Sequence, residues 1–359
     1  MMLNVNDQHN DRHCVLTRAR RSFAIVPSVS QVLAVGDCML EACFVLPDSE
    51  SHAPDVALTD CVFACGGSAA NFACTLGRLG QPVGLLSHLG DDMFSGMLMS
   101  DLLAHHVDTR TVTQVAGSSS VTAIIIEPGG ERRFLSFRSP AEPDPAATRP
   151  EDALAGVDWL HISGFVFQRP ATAARARDLM AFARRAGISV SCDPSPLLAH
   201  YAQRDDRDFW SSFDVMFPNE YEASALTGQP DMSQAALALL EMGVRTAAVT
   251  VGASGCLVAS NGDLIRLPAR PVASVRDTTG AGDAFAAGFV TGVRHGFDLP
   301  TAAGLGNLLA AHAIRVIGGH GGAKCCADLL ADPMPDNVRD LLLAINGSPL
   351  PNPMKQSNP

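Results

Sequence analysis

The chain has 359 residues, 47% of them hydrophobic, and a formal net charge of −11. That length holds one large α/β domain or two ordinary ones, and the apolar fraction is ample for a full core. An acidic balance without a long Lys/Arg run argues against a nucleic-acid or anionic-membrane surface, and leaves small-molecule chemistry with room for a local basic pocket.

Residues 1–29 are polar, carry Arg18, Arg20 and Arg21, and lack the apolar run of a signal peptide. No window approaches the roughly 18–20 apolar residues of a membrane span. The sequence therefore predicts a soluble, cytoplasmic domain over 30–346, with loosely ordered tails at 1–29 and 347–359. Ten cysteines contain no C-x-x-C pair. Zinc sites and disulfide frameworks use tighter patterning, so these read as mostly buried, reduced thiols.

The first strand is expected over 31–36, an apolar run ended by Gly36. Asp37 and Glu41 follow, where open α/β sheets bind ligands, and either can hydrogen-bond a polyhydroxy substrate. A strand over 56–63 leads into Gly66-Gly67-Ser68-Ala69-Ala70-Asn71, a glycine joint before a helix of Phe72, Cys74, Leu76 and Leu79. Asn71 stands one turn into that helix, within reach of a substrate hydroxyl. Residues 82–89 read as a buried strand. Asp91 and Asp92 then start a helix with Met93, Phe94, Met97, Leu98 and Leu102 facing inward.

The texture changes at 121–126 and 132–137, two β-rich runs flanking turn residues at 127–131, which is a hairpin signal. Together the segments near 37–63 and 121–138 predict a small separate sheet, suited to a lid over a substrate cleft. The βα alternation then resumes. Strands are expected at 157–162, 188–192, 214–217 and 246–251, with a helix over 170–186. Polar residues follow the last three: Asp193-Pro194, Asn219 to Glu222, and Gly252 to Gly255. Such alternation predicts a parallel sheet with helices on both faces and a ligand site at the strands' carboxyl ends.

The most informative stretch is Asp277-Thr278-Thr279-Gly280-Ala281-Gly282-Asp283-Ala284-Phe285, a glycine turn that runs into an apolar helix. The first helical amides lack intrahelical partners and, with the helix dipole, form a seat for a phosphate. A carboxylate at the mouth of an anion seat needs a compensating cation or a chemical task. Asp283 therefore reads as a general base beside a phosphoryl group being transferred. No G-x-x-x-x-G-K-[ST] loop occurs, so the seat is not a Walker loop.

With these motifs in order, the chain resembles the ribokinase-like, or phosphofructokinase B, family of carbohydrate kinases over roughly 31–330. The resemblance rests on the segments 66–71 and 277–283, supported by Gly90-Asp91-Asp92, Gly129-Gly130-Glu131-Arg132, Asp193-Pro194, Asn219-x-x-Glu222 and Thr250-Val251-Gly252. It implies a ribokinase-like α/β fold with a central parallel sheet and a β lid, a homodimer formed through that lid, and ATP-dependent phosphorylation of a hydroxymethyl group. It further implies Asp283 as base, with Gly280, Ala281 and Gly282 as the anion hole. Glu41, Gly66, Gly67, Asn71 and Arg138 match substrate positions. Asn219, Thr250, Gly252, Gly255 and Asn307 match nucleotide positions. Glu222 would organise Mg²⁺ through water, and Asp277 and Thr279 match a K⁺-type monovalent-cation site found in some relatives.

Two departures bear on the substrate. Glu41 stands where many relatives carry Asp, and Ser68 stands where true ribokinases carry Lys. Phe137-Arg138 resembles ketose and keto-sugar-acid kinases, so those sugars are expected ahead of ribose. The competing readings are a nucleoside kinase, with Phe72, Phe165 and Phe167 holding the base, and a regulator that binds nucleotide or sugar without catalysis.

Overall fold

The computed structural model describes residues 31–47, 55–127, 132–140, 148–195, 198–202 and 204–347. The tails expected at 1–29 and beyond Gly347, and the hairpin turn at Gly129, Gly130 and Glu131, lie outside the described residues. Gly347, expected as the first residue of the tail, instead closes the helix Asp336–Gly347.

The strands in chain order are β1 Gln31–Val35, β2 Met39–Val45, β3 Asp60–Gly66, β4 Val83–Gly90, β5 Val112–Val115, β6 Val121–Ile126 and β7 Arg132–Phe137. They continue with β8 Val157–Ser163, β9 Ser189–Asp193, β10 Val215–Met216, β11 Thr246–Thr250, β12 Cys256–Ser260 and β13 Asp263–Leu267. Nine form one sheet in the order β13-β12-β11-β10-β9-β8-β1-β4-β5. It is parallel from β11 to β5, and β12 and β13 add an antiparallel edge.

Both faces of this sheet are covered, which is why its central strands read as unbroken apolar runs. Successive residues of β1 point to opposite faces. Leu33 and Val35 pack with Leu179, Met180 and Leu239 from the helices Pro170–Ala186 and Met232–Met242. Val32 and Ala34 pack on the other side with Phe72, Leu76, Phe285 and Phe289 from the helices Ser68–Arg78 and Ala281–Arg294. The helices bearing the two glycine motifs therefore share one face.

The other four strands form the separate small sheet, in the order β3-β2-β6-β7. Its β2/β6 pair is parallel and its other pairs antiparallel. In β6 the residues alternate between buried and half-buried, giving the lid a small core of Cys43, Ile124 and Ile126. Three expectations need correction. The helix after Asp92 begins at Ser95, and Met93 and Met97 are exposed, because Asp92 accepts from the amides of Phe94 and Ser95 and the chain has not yet coiled at Met93. β3 starts at Asp60 rather than 56. Three strands carry no clear signal in the sequence: β5 and β13 are short edge elements with mixed polarity, and β12 is a short buried strand paired on both sides.

Candidate active site

The turn before helix Ala281–Arg294 takes its shape from Gly280 and Asp277. Gly280 adopts φ 74°, in the left-handed region, and a Cβ there would overlap the carbonyl of Gly319. Asp277 is buried, and its Oδ1 accepts from the Thr279 amide at 2.9 Å and the Thr279 hydroxyl at 2.7 Å. Its Oδ2 accepts from the Gly318 amide at 3.0 Å, tying the turn to the glycine-rich loop at 318–322. From lid strand β7, Arg132 reaches Asp277 and Thr279, both at 3.2 Å, and also Thr278. The expected cation-binding pair thus carries a guanidinium.

Asp283, in the first turn of the helix, is 7% exposed. Burial pushes its carboxyl up to about 6, opposed by the hydrogen bond from Asn71 and reinforced by the nearby charge of Asp37. Asp193, at the carboxyl end of β9, is pushed well above the usual range by burial and by the charges of Glu222 and Asp283. Glu222 is raised to about 7 for the same two reasons, burial first and Asp283 second. Asn219 and Glu222 form a reciprocal capping box, with bonds of 2.9 and 3.0 Å, which sets the Glu222 side chain at the start of helix Glu220–Thr227. Three carboxylates, the buried Asp283 and Glu222 and the half-buried Asp193, thus converge next to a helix N-terminus. The sequence alone assigns Asp193 no role, because its partners Glu222 and Asp283 come from helices distant in the chain.

The Gly66-Gly67 joint lies beneath Glu41. A Cβ at Gly66 would overlap the Glu41 carboxyl group, and one at Gly67, where φ is 96°, would sit 2.7 Å from the carbonyl of Asp37. Glu41 is buried and raised to about 7, by burial above all. Its Oε1 accepts from the Gly67 amide at 3.2 Å and its Oε2 from the Gly319 amide at 3.3 Å. The extra methylene relative to Asp lets it bridge lid strand β2, the joint and the 318–322 loop. Asn71 is 2% exposed and donates from Nδ2 to Asp283 Oδ2 at 2.9 Å. Its Oδ1 meets His320 Nδ1 at 3.1 Å, a partner the sequence reading missed.

Beside this cluster an open cleft of about 1040 Å³ is lined by Asp37, Ser139, Phe165, Arg138, Arg169 and Arg175 among others. Asp37 accepts from the Ser163 hydroxyl at 3.0 Å and faces Arg138 at 3.6 Å. The Arg138 guanidinium stacks 4.1 Å above the ring of Phe165, and its carbonyl accepts from Arg169. Arg175 keeps a buried Nε without a hydrogen-bond partner. Of the aromatic residues that a nucleoside base would need, only Phe165 lines the cleft. Phe72 is fully buried and stacked on His161 at 3.7 Å, and Phe167 belongs to the core.

The expected nucleotide residues gather at the carboxyl end of β11. Asn219 bridges to Thr250, Gly252 takes φ 52° next to Glu220, and Gly255, with φ 95°, approaches Leu267 so closely that a Cβ would overlap its carbonyl. Asn307 donates to the Pro268 carbonyl at 3.1 Å from helix Leu299–Ala313. All of the sequence-predicted residues thus lie around one end of the sheet.

A model of the pfkB family of carbohydrate kinases matches residues 29–324. The chain belongs to that family. Among its relatives, a ribokinase from Mus musculus is 27% identical over 265 residues, covering 71% of this chain and 79% of the relative. A fructokinase from Klebsiella pneumoniae is 29% identical, covering 73% and 84%. A solved putative ribokinase from Agrobacterium tumefaciens superposes with TM-score 0.72 at 26% identity, covering 84% and 96%. A putative ribokinase II from E. coli, in complex with ATP and Mg²⁺, gives TM-score 0.72 at 22% identity, covering 84% and 97%. This pfkB-family protein is accordingly a phosphotransferase with an alcohol group as acceptor, acting as a sugar or nucleoside kinase, and its fold is ribokinase-like.

Proposed function

We propose that this kinase transfers the γ-phosphate of ATP to a primary hydroxyl of a small sugar carrying an anionic group, a keto-sugar acid ahead of a neutral ketose, with Asp283 as general base. The observation that carries the proposal is the juxtaposition of Asp283, at a glycine-rich helix N-terminus, with a cleft that presents Asp37 beside three arginines. Asp37 suits sugar hydroxyls. The unpartnered Nε of Arg175 and the stacked guanidinium of Arg138 suit a carboxylate.

Phosphoryl transfer asks the protein mainly for positioning and charge compensation. In this reading Asp283 accepts the hydroxyl proton while Asn71 holds its other side. The amides of Gly280, Ala281 and Gly282 face developing charge on the transferred group. Glu41 holds Gly66 and Gly67 against the loop, so its contribution to substrate binding is exerted largely through the joint. Asn219, Thr250, Gly252, Gly255 and Asn307 border the nucleotide. Glu222 and Asp193 would hold Mg²⁺ through water, since their all-oxygen and mutually repelling set fits a hard cation. When bound, that ion supplies charge neutralisation at the nucleotide phosphates.

An ATP-consumption assay over keto-sugar acids, ketoses, ribose and adenosine tests the substrate. The proposal expects the highest kcat/KM with an acidic sugar, and that preference should fall in Arg175→Ala. Preference for adenosine would move the protein to nucleoside kinases. ATP binding without turnover of any acceptor would leave a regulator.

A further inference from the structure

Behind the helix that carries Asn71 lies a second cluster that phosphoryl transfer does not use. Cys74, Asp101, His105 and His320 each offer one ligand atom, and these atoms all lie within 4.8 Å of one another. Three separated segments supply them: Cys74 from helix Ser68–Arg78, Asp101 and His105 from the end of helix Ser95–Ala104, and His320 from the loop at 318–322. Two glycines make the approach possible. A Cβ at Gly77 would overlap the His105 carbonyl, and one at Gly319 would overlap the Asn71 amide.

We propose that this cluster is a binding site for a zinc-class divalent cation, ligated by Cys74 Sγ, the Asp101 carboxylate, a ring nitrogen of His105 and His320 Nε2. The hydrogen bonding of His320 supports it. Asn71 donates its amino group to Asp283, so its Oδ1 is what faces His320 Nδ1 at 3.1 Å. On the other side His320 Nε2 faces Asp101 Oδ2 at 2.7 Å. Both ring nitrogens therefore point at acceptors, whereas neutral imidazole has one N–H. The positive charge this arrangement calls for between Nε2 and Asp101 is supplied by a proton or by a metal ion, and the neighbouring thiol and second imidazole are the donors a zinc-class ion selects over Mg²⁺.

The surroundings fit as well. Donating Nδ1–H to a side-chain carbonyl, as His320 does to Asn71, is how a metal-ligating histidine is usually oriented. Thiolate and carboxylate together balance a 2+ charge, which leaves the buried site neutral. Tetrahedral coordination sets ligand atoms about 3–4 Å apart, so small side-chain rotations close the present spread. Entry is open through Asp101 and His105, whose side chains are 32% and 20% exposed. On binding, the Cys74 thiol proton and the proton between His320 and Asp101 leave to solvent, so affinity rises with pH. A bound ion would also fix the orientation of Asn71, and through it the hydrogen bond to Asp283.

The test uses the full-length protein, stripped with a chelator and titrated with Zn²⁺ or Co²⁺ in excess Mg²⁺, which keeps the carboxylate cluster occupied. One equivalent of Co²⁺ is expected to survive buffer exchange and to give tetrahedral d–d bands with a thiolate-to-cobalt charge-transfer band. Cys74→Ser should abolish the charge-transfer band. His105→Gln, at a partly exposed position, should weaken Zn²⁺ binding by more than about tenfold with the circular dichroism spectrum unchanged. Absence of stoichiometric binding, a cobalt spectrum without the sulfur band, or a band that persists in Cys74→Ser would overturn the proposal.

Discussion

In its proposed role as base, Asp283 would have to be buried to meet a phosphoryl group away from water, yet ionised to accept a proton. Burial and Asp37 raise its carboxyl to about 6, while Asn71 works against them. Turnover is therefore expected to rise as pH increases through about 6. Asn71→Leu removes a hydrogen bond that favours the charged form, so the acidic limb of the kcat profile should move to higher pH. An unmoved limb would separate Asn71 from the base. At Asp277 and Thr279, any monovalent cation must share or displace the Arg132 guanidinium. Activation by K⁺ should accordingly be stronger in Arg132→Ala than in the parent, measured as kcat against K⁺ concentration, and equal responses would rule out the competition.

At the level of elements, the turn and its helix are held by close packing between backbones. A Cβ at Gly288 would stand 2.8 Å from Gly306 Cα, and one at Gly306 would stand 2.7 Å from the Phe285 ring. The helices Ala281–Arg294 and Leu299–Ala313 therefore cross without side chains between them at that point. Gly288→Val should force them apart, costing about 1–3 kcal/mol in denaturant unfolding and lowering turnover as Asp283 shifts. Full retention of both would show that the crossing does not position the base. The sequence made this helix, the glycine turn before it and the lid strand pair legible, because each is coded by a few consecutive residues. Runs such as 31–35 and 121–126 likewise carried their strand periodicity openly. What stayed hidden depends on contacts between distant segments: Asp193 meeting Glu222 and Asp283, Glu41 reaching the Gly319 amide, and His320 meeting Asn71. Glu41 shows the limit clearly, since its identity suggested a hydroxyl ligand while its length makes it a bridge between amides.

For the whole molecule, the site sets stability and activity against each other. Glu41, Glu222 and Asp283 all titrate higher in the fold, at about 7, 7 and 6, than their ordinary values of 4.5, 4.5 and 3.8. Between those two ranges the folded state binds more protons than the unfolded chain, so stability falls as pH rises through the window and levels off above it. Burial lowers His161 and His295 from 6.5 to about 3 and 4, an opposing effect that ends once free histidine is neutral, so without Mg²⁺ and nucleotide Tm should drop from about pH 7 to about pH 8, and Mg²⁺ with ATP should reduce the drop. A Tm that climbs over that interval would contradict the buried-carboxylate account. The lid also exposes Phe63, Phe134, Leu135 and Phe137. These residues suit the proposed homodimer through the lid, and Phe134→Glu should lower the mass measured by light scattering. An unchanged mass would place any dimer contact elsewhere.

The central claim is that Asp283 removes the acceptor proton, and steady-state kinetics of Asp283→Asn with the best acidic sugar tests it most directly. The account predicts a fall in kcat of roughly 10²–10⁴-fold with the KM for ATP little changed. Turnover close to that of the parent enzyme would contradict it.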